Sequence, residues 1–94
     1  MDAPAMGPVA TEMRRRLDSL DPTTVELIDD SEKHRGHGGY NPSGESHFTL
    51  LIESPLFDGK SRVERQRMVH AALGDLVGDR VHALSIRATA PRET

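Results

Sequence analysis

A capped helix followed by an alternating strand constrains the fold of this chain most. Ser61 precedes Glu64 by three residues, which is the spacing of a capping box at a helix start. Gly74 is expected to weaken this helix and Gly78 to end it, after which a strand follows over residues 81–89. The apolar stripe of the helix comprises Val69, Ala72, Leu73 and Leu76. A right-handed crossover through such a helix places the last strand parallel to a neighbouring strand.

The first half of the chain adds one helix and two strands. Pro8 suits the first turn of a helix, and Pro22 marks its end. Residues 23–29 and 47–53 alternate apolar and polar side chains, which indicates two half-buried strands. With a helical turn at residues 57–60, the predicted order is α-β-β-α-α-β. The predicted fold class is therefore α+β, a three-stranded mixed sheet with helices packed on one face.

Composition bounds the size and the chemistry of the protein. The chain has 94 residues, 35% of them hydrophobic, and a formal net charge of −3. These values predict a single domain over residues 8–91, between a flexible tail at 1–7 and a short tail at 92–94. There is no cysteine, so any metal that this chain binds alone would use histidine or carboxylate ligands.

No segment of the sequence predicts contact with a membrane. No apolar run approaches the roughly 18 residues of a membrane span. Residues 1–8 also lack the charged and apolar regions of a signal peptide. We therefore expect a cytoplasmic protein without a membrane partner.

The connection between the first two predicted strands is unusually long. It covers residues 30–46, is rich in glycine and holds few apolar side chains. A hairpin loop usually has roughly 2–5 residues, and longer loops on small scaffolds are either functional or disordered. This one carries His34 and His37, whose plain interpretation is two solvated loop residues.

Three further histidines lie on predicted elements. His82 opens the last strand on the parity of Leu84, and its plain interpretation is a half-packed, hydrogen-bonded side chain. His47 alternates away from Phe48, which predicts a position on the outer face of the second strand. His70 lies beside the helix stripe and is expected at the surface.

Three segments of the chain, taken in order, resemble the BolA family. They are Glu45-Ser46-His47-Phe48, the run 57–67 that contains the capping box, and Val81-His82-Ala83-Leu84-Ser85-Ile86. The resemblance covers about residues 9–91 and implies a class II KH-like architecture. It also implies a monothiol glutaredoxin as partner, with which BolA proteins share a [2Fe–2S] cluster in iron–sulfur trafficking or iron sensing.

The resemblance assigns the ligands of that cluster. The glutaredoxin and a glutathione supply thiolates, and the BolA chain supplies a histidine at the start of its last strand and a second ligand from its long loop. Carried onto this chain, these roles fall on His82 and His34, with His37 as an alternative to His34. Since the chain has no thiolate, we expect no cluster on the isolated protein.

Four cations within eight residues give the helix after the turn a basic start. They are Lys60, Arg62, Arg65 and Arg67. Such a run is usually a solvated helix face. The helical wheel puts Arg62 and Arg65 in line with the apolar stripe and Arg67 away from it. We therefore expect Arg65 to reach the sheet edge or a carboxylate.

The basic helix supports an alternative function, a DNA-binding transcriptional regulator that acts through residues 60–67. In the BolA family this helix is discussed as a DNA-contacting element, although Arg65-Gln66 stands where the family usually has an Arg-His pair. RNA binding of the KH type is disfavoured, because the junction before the helix holds only Gly59 where KH domains carry a GxxG loop.

No catalytic arrangement is recognisable in the sequence. There is no defensible Ser/His/Asp order, carboxylate pair or phosphate-binding loop. The acidic cluster of Asp29, Asp30 and Glu32 is expected to modulate the charge of the long loop. We therefore expect a binding protein and no enzyme, and a weak homodimer is left open.

Overall fold

The computed structural model describes Ala5, residues 7–30 and residues 46–92. The elements are α1 (Pro8–Leu17), β1 (Thr24–Asp29), β2 (His47–Glu53), α2 (Arg62–Leu73), the short helix α3 (Leu76–Asp79) and β3 (Ala83–Thr89), with 3₁₀ turns at Asp18–Leu20 and Pro55–Phe57. This order confirms the predicted sequence of helices and strands. The predicted loop ligands His34 and His37 lie outside the described residues.

The three strands form one mixed sheet in the order β1-β2-β3. β1 and β2 are antiparallel, with Leu27 opposite Leu50. β2 and β3 are parallel, with Leu50 opposite Ile86. The crossover through α2 therefore gives the parallel pairing that the sequence predicts, and the α+β class is confirmed. The class II KH-like label, with which this order is compatible, stays a prediction.

The core lies on one face of the sheet. Alternation along β2 turns Phe48, Leu50 and Ile52 inward, and all three are buried. The helices cover this face with the buried side chains of Met13, Leu17, Val69 and Leu73. On the opposite face, Glu26 and Arg87 are exposed. At about 25 cal/mol per Å² of apolar area, such burial is the main stabilising term of a small domain.

α2 begins as predicted and ends earlier than predicted. The Glu64 N–H donates to Ser61 Oγ at 3.1 Å, and the Ser61 N–H donates to Glu64 Oε1 at 2.8 Å, which completes the capping box. These bonds hold the pKa of the Glu64 carboxyl below its usual value. The helix ends at Leu73, and not at Gly78, because Gly74 adopts φ +60° as its C-cap. A left-handed φ suits glycine, so Gly74 stops the helix instead of only weakening it.

Arg16 ties α1 to the end of α2. Its Nη1 donates to the Leu73 carbonyl at 2.7 Å and to Asp75 Oδ1 at 3.0 Å. Its long side chain thus reaches the last carbonyl of α2, one of those that a helix leaves without an intrahelical partner. Glu12 accepts hydrogen bonds from Arg15 and Arg16, which lower the pKa of its carboxyl to about 2.

The two outer edges of the sheet differ. At β1, the Ala5 N–H donates to the Leu27 carbonyl at 2.8 Å, and Ala5 is buried. One residue of the segment predicted as a flexible tail thus packs on the edge of β1. At β3, the Ala88 carbonyl accepts a hydrogen bond from Arg65 Nη1 at 3.0 Å. A main-chain segment thus binds the β1 edge, whereas an arginine side chain binds the β3 edge.

Candidate functional site

The first candidate site lies where the long connection leaves and rejoins the sheet. The Asp30 N–H, just after β1, donates to the His47 carbonyl at 2.7 Å. The His82 N–H, just before β3, donates to the Ser46 carbonyl at 2.7 Å. Both ends of the connection over residues 31–45 therefore lie beside His82. We call Asp30, Ser46, His47 and His82 the histidine end of the sheet.

His82 presents its imidazole to solvent. The residue lies one position before β3, where the sequence predicts it as part of the strand, and it is exposed. Its ring lies 6.3 Å from that of His47, centroid to centroid, with 40° between the planes. Among the residues that the structure describes, none forms a hydrogen bond with its ring nitrogens. The half-packed, hydrogen-bonded interpretation of this side chain is therefore wrong, and the imidazole is accessible to a partner.

His47 is buried, although the sequence predicts it on the open outer face of β2. Only 5% of its surface is exposed, and its Nδ1 lies 2.9 Å from Ser46 Oγ. The prediction is wrong because His47 lies at the end of the sheet, where Ser46 and the ring of His82 lie beside it. A pattern within one strand cannot reveal these neighbours.

Asp30, one of the acidic residues predicted to modulate the connection, lies at the histidine end of the sheet. The Thr49 hydroxyl donates a hydrogen bond to the Asp30 carboxylate and so fixes the first residue after β1 on the neighbouring strand. Glu32, His34 and His37 lie outside the described residues. His70 is exposed on α2, as predicted, and forms no part of this end of the sheet.

The donor atoms of the histidine end suit a metal site that is completed by other ligands better than a site that these residues form alone. Within residues 7–30 and 46–92, and at Ala5, no three histidine or carboxylate side chains could hold a metal ion together. Among the described residues of the histidine end, His82 presents an accessible imidazole, and neutral imidazole is a competent ligand of iron–sulfur clusters. A cluster at this position would therefore need further ligands beside His82.

The second candidate site is a basic groove of about 610 Å³ between α2 and the edge of β3. Its lining comprises Lys60, Arg62, Arg65 and Gln66 from the helix side and Ile86, Arg87, Ala88 and Thr89 from β3. Three of the four predicted cations thus line one surface. Arg67 is exposed and lies outside the lining, as the helical wheel predicts. We call this surface the basic groove.

Arg65 forms part of the groove wall. Its Nε donates to the Lys60 carbonyl at 3.0 Å, and its Nη1 donates to the Ala88 carbonyl at 3.0 Å. The prediction that Arg65 reaches the sheet edge is confirmed. Its guanidinium binds helix and strand to each other, whereas Lys60 and Arg62 keep exposed head groups.

Arg87 is a groove residue that sequence reasoning missed. It lies in the middle of β3, far along the chain from the basic helix, and it adds a fourth cation to the groove. Only the parallel pairing of β2 with β3 brings this strand against α2. A charged residue within an alternating strand gives a weak signal, since it looks like any outer-face position.

The two candidate sites lie at opposite ends of β3. Ile86, the first groove residue of β3, follows His82 by four residues, which corresponds to about 13 Å at about 3.3 Å per strand residue. Among the described residues, no helix combines the length and the apolar character that a membrane crossing requires.

Comparison with known proteins gives one consistent family. A family model described as BolA-like protein matches residues 17–93. BolA-like protein 1 of Homo sapiens is 39% identical over 90 residues, an alignment that covers 95% of this chain and 63% of the human protein. SufE-like protein 1 of Arabidopsis thaliana, described as chloroplastic/mitochondrial, is 40% identical over 94 residues, which cover 95% of this chain and 25% of that protein.

The fold agrees with these matches. The BolA domain of SufE1 from Arabidopsis thaliana superposes with a TM-score of 0.83 at 41% identity, covering 96% of this chain and 100% of that domain. This chain spans less than two thirds of the full length of both curated relatives named above. The likeness therefore concerns one domain, which is the domain that carries both candidate sites.

Proposed function

The chain belongs to the BolA family, and we therefore propose that it binds a monothiol glutaredoxin and shares a [2Fe–2S] cluster with it, in iron–sulfur trafficking or iron sensing. The observation that carries this proposal is the position of His82. Its accessible imidazole lies beside both ends of the connection that holds His34 and His37. A partner can approach this end of the sheet without displacing core residues.

Residues of the histidine end have separate tasks in this proposal. His82 offers one ring nitrogen to the shared cluster, and its N–H bond to the Ser46 carbonyl fixes the backbone from which the ring extends. His47, beside Ser46, lies next to the His82 ring. His34 supplies the second ligand from the connection, with His37 as its alternative. A [2Fe–2S] cluster with histidine ligands supplies a redox potential higher than that of an all-thiolate cluster.

The remaining ligands come from the partner. This chain has no cysteine, so the glutaredoxin and a glutathione provide the thiolates, and the isolated chain holds no cluster. The proposed role is that of an adaptor with no catalytic residue of its own. We place this role in the cytoplasm, although the names of some relatives place those proteins in organelles.

The test is a visible absorption spectrum of this protein mixed with a monothiol glutaredoxin, glutathione, iron and sulfide. We expect a spectrum that differs from that of the glutaredoxin alone and that disappears with His82→Ala. The matched control is His70→Ala, which removes another exposed imidazole on the α2 helix. A mixture that reproduces the glutaredoxin spectrum unchanged would contradict the proposal.

DNA binding through the basic helix is a second candidate function, favoured by the convergence of Lys60, Arg62 and Arg65 on one groove. Here the affinity for duplex DNA should fall with salt as phosphate contacts are lost. Arg67→Ala should lower the salt slope by about 1 without unfolding the domain, because Arg67 is exposed. An affinity that does not depend on salt would exclude this function.

A further inference from the structure

β3 has an open edge. β3 pairs with β2 through the N–H and carbonyl groups of its odd-numbered residues. The Ala83 N–H donates to the Ser46 carbonyl, and the Thr89 carbonyl accepts from the Ser54 N–H. The N–H and carbonyl groups of Leu84 and Ile86 therefore point away from the sheet. In the part of the chain that the structure describes, they have no hydrogen-bond partner.

Each outer edge of the sheet has an occupied backbone group within the described residues. At β1, the Ala5 N–H donates to the Leu27 carbonyl, and at β3, Arg65 donates to the Ala88 carbonyl. The two edges differ in charge, because the basic groove lies beside β3. Edge strands with unpaired backbone groups are templates for pairing with another chain. An edge that is left open beside a groove is thus a candidate docking surface.

The positive charge beside the β3 edge determines which kind of partner segment can bind there. Lys60, Arg62 and Arg87 line the groove, and none of them forms an ion pair within the described ranges. Among the described residues, no aspartate or glutamate lines the groove, whereas Glu26 and Glu53 lie near Arg87 on the outer face of the sheet. The nearby Glu64 carboxylate is engaged in the capping box with Ser61. The occupant must therefore carry negative charge close to its backbone.

We propose that the edge of β3 binds an extended acidic segment of a partner protein, which adds to the sheet as a fourth strand. The N–H and carbonyl groups of Leu84 and Ile86 pair with its backbone, and the cations of the basic groove pair with its carboxylates. Arg87 lies on the outer face of the sheet, whereas Lys60 and Arg62 lie on the face that the helices cover. A segment with acids at consecutive positions therefore meets cations on both sides.

Two other occupants fit less well. DNA phosphates accept hydrogen bonds but donate none, so DNA would leave the Leu84 and Ile86 carbonyls unpaired. The net charge of −3 also opposes the steering of a polyanion as large as DNA. A second copy of this chain, paired edge to edge, would bring the cations of two grooves together, which is repulsive.

The proposal does not rest on cluster sharing, because its contacts are with Leu84, Ile86 and the cations of the basic groove, and none of them involves the His82 imidazole. Its test uses a fluorescein-labelled peptide of about nine residues, in which pairs of glutamates are separated by threonines. The control peptide carries glutamine in place of each glutamate. Fluorescence polarisation measures affinity, and amide hydrogen exchange measures protection of the Leu84 and Ile86 N–H groups.

We expect the acidic peptide to bind, the glutamine peptide to bind more weakly, and both N–H groups to exchange more slowly when the acidic peptide is bound. Arg62→Ala and Arg87→Ala should each lower the affinity about two- to fivefold, as for exposed ion pairs. Arg67→Ala should leave it unchanged, although the same change should weaken DNA binding.

Three results would overturn the proposal. One is peptide binding without slower exchange at Leu84 and Ile86, which would indicate attraction by charge alone. Another is tight binding of duplex DNA with no binding of the peptide, which would make the groove a nucleic-acid site. The last is slower exchange at higher protein concentration without peptide, which would indicate pairing with a second copy.

Discussion

The two ends of β3 present different kinds of chemistry. At the histidine end, one exposed imidazole lies on a buried support formed by Ser46 and His47. At the basic groove, four cations and a row of backbone groups contribute to one surface. Among the described residues, the first end offers one exposed imidazole, whereas the second offers several weak contacts. We therefore expect substitutions to be all-or-none at one end and graded at the other.

The largest expected effect tests whether the two ends are independent. His82→Ala should abolish the spectrum of the shared cluster and leave the affinity for the acidic peptide unchanged. Arg62→Ala should lower the peptide affinity and leave the spectrum unchanged, because the groove residues of β3 begin about 13 Å along the strand from His82. Absorption and polarisation measured on both variants check this. A variant that alters both readouts would show that the ends are coupled.

A smaller effect is expected from the loop ligand. His34→Ala should weaken the shared spectrum less than His82→Ala does, since His37 lies three residues on and can replace it. The double change of His34 and His37 to alanine should abolish the spectrum. Titration of each variant with cluster-loaded glutaredoxin measures the difference. An intact spectrum in the double variant would place the second ligand elsewhere.

Stability should separate Arg65 from Arg67, two of the three arginines of α2. Arg65→Ala removes hydrogen bonds to the Lys60 and Ala88 carbonyls, so it should lower the free energy of unfolding by about 1–3 kcal/mol. Arg67→Ala removes an exposed side chain and should change stability by less than about 0.5 kcal/mol. Urea denaturation of both variants measures this, and equal midpoints would show that Arg65 does not hold the groove wall in solution.

The smallest expected effect concerns Glu12 on α1, which lies at neither candidate site. Hydrogen bonds from Arg15 and Arg16 lower the pKa of Glu12 from 4.5 to about 2. Because the pKa in the folded state lies below the unfolded value, ionised Glu12 stabilises the protein above pH 4.5, and this contribution is lost as the pH falls toward 2. Glu12→Gln should therefore lose less stability than the wild type in this range. Urea midpoints at about pH 5.5 and pH 2.5 compare the two proteins, and identical losses would contradict the assignment.

Much of the fold follows from local patterns in the sequence. Alternation gives β2 with its observed bounds, and the Ser61–Glu64 spacing gives the start of α2. The end of α2 was harder to predict, because both Gly74 and Gly78 can adopt a left-handed φ. Which of them stops the helix depends on tertiary contacts, among them the bond from Arg16 to the last carbonyl of the helix.

The sites were less predictable than the fold. Sequence reasoning selects His82 and the helix cations, and the structure finds these cations, apart from Arg67, on one groove. Sequence reasoning misses the burial of His47 and the contribution of Arg87 to the groove. Both depend on segments that are distant in sequence and meet only in the folded sheet. Periodicity describes one element at a time, whereas burial at the end of a sheet depends on several.

The parallel pairing of β2 with β3 also sets the order in which the sites form during folding. α2 and its capping box depend on contacts between near neighbours, whereas His47 and Ala83 pair only after the whole helical crossover has closed. Closing such a long loop costs entropy before any contact is gained, so this pairing forms late. A nascent or damaged molecule then has its basic helix but lacks the arrangement of His82 beside the connection. If the proposed function holds, iron–sulfur cargo would be accepted only by molecules that have completed their fold.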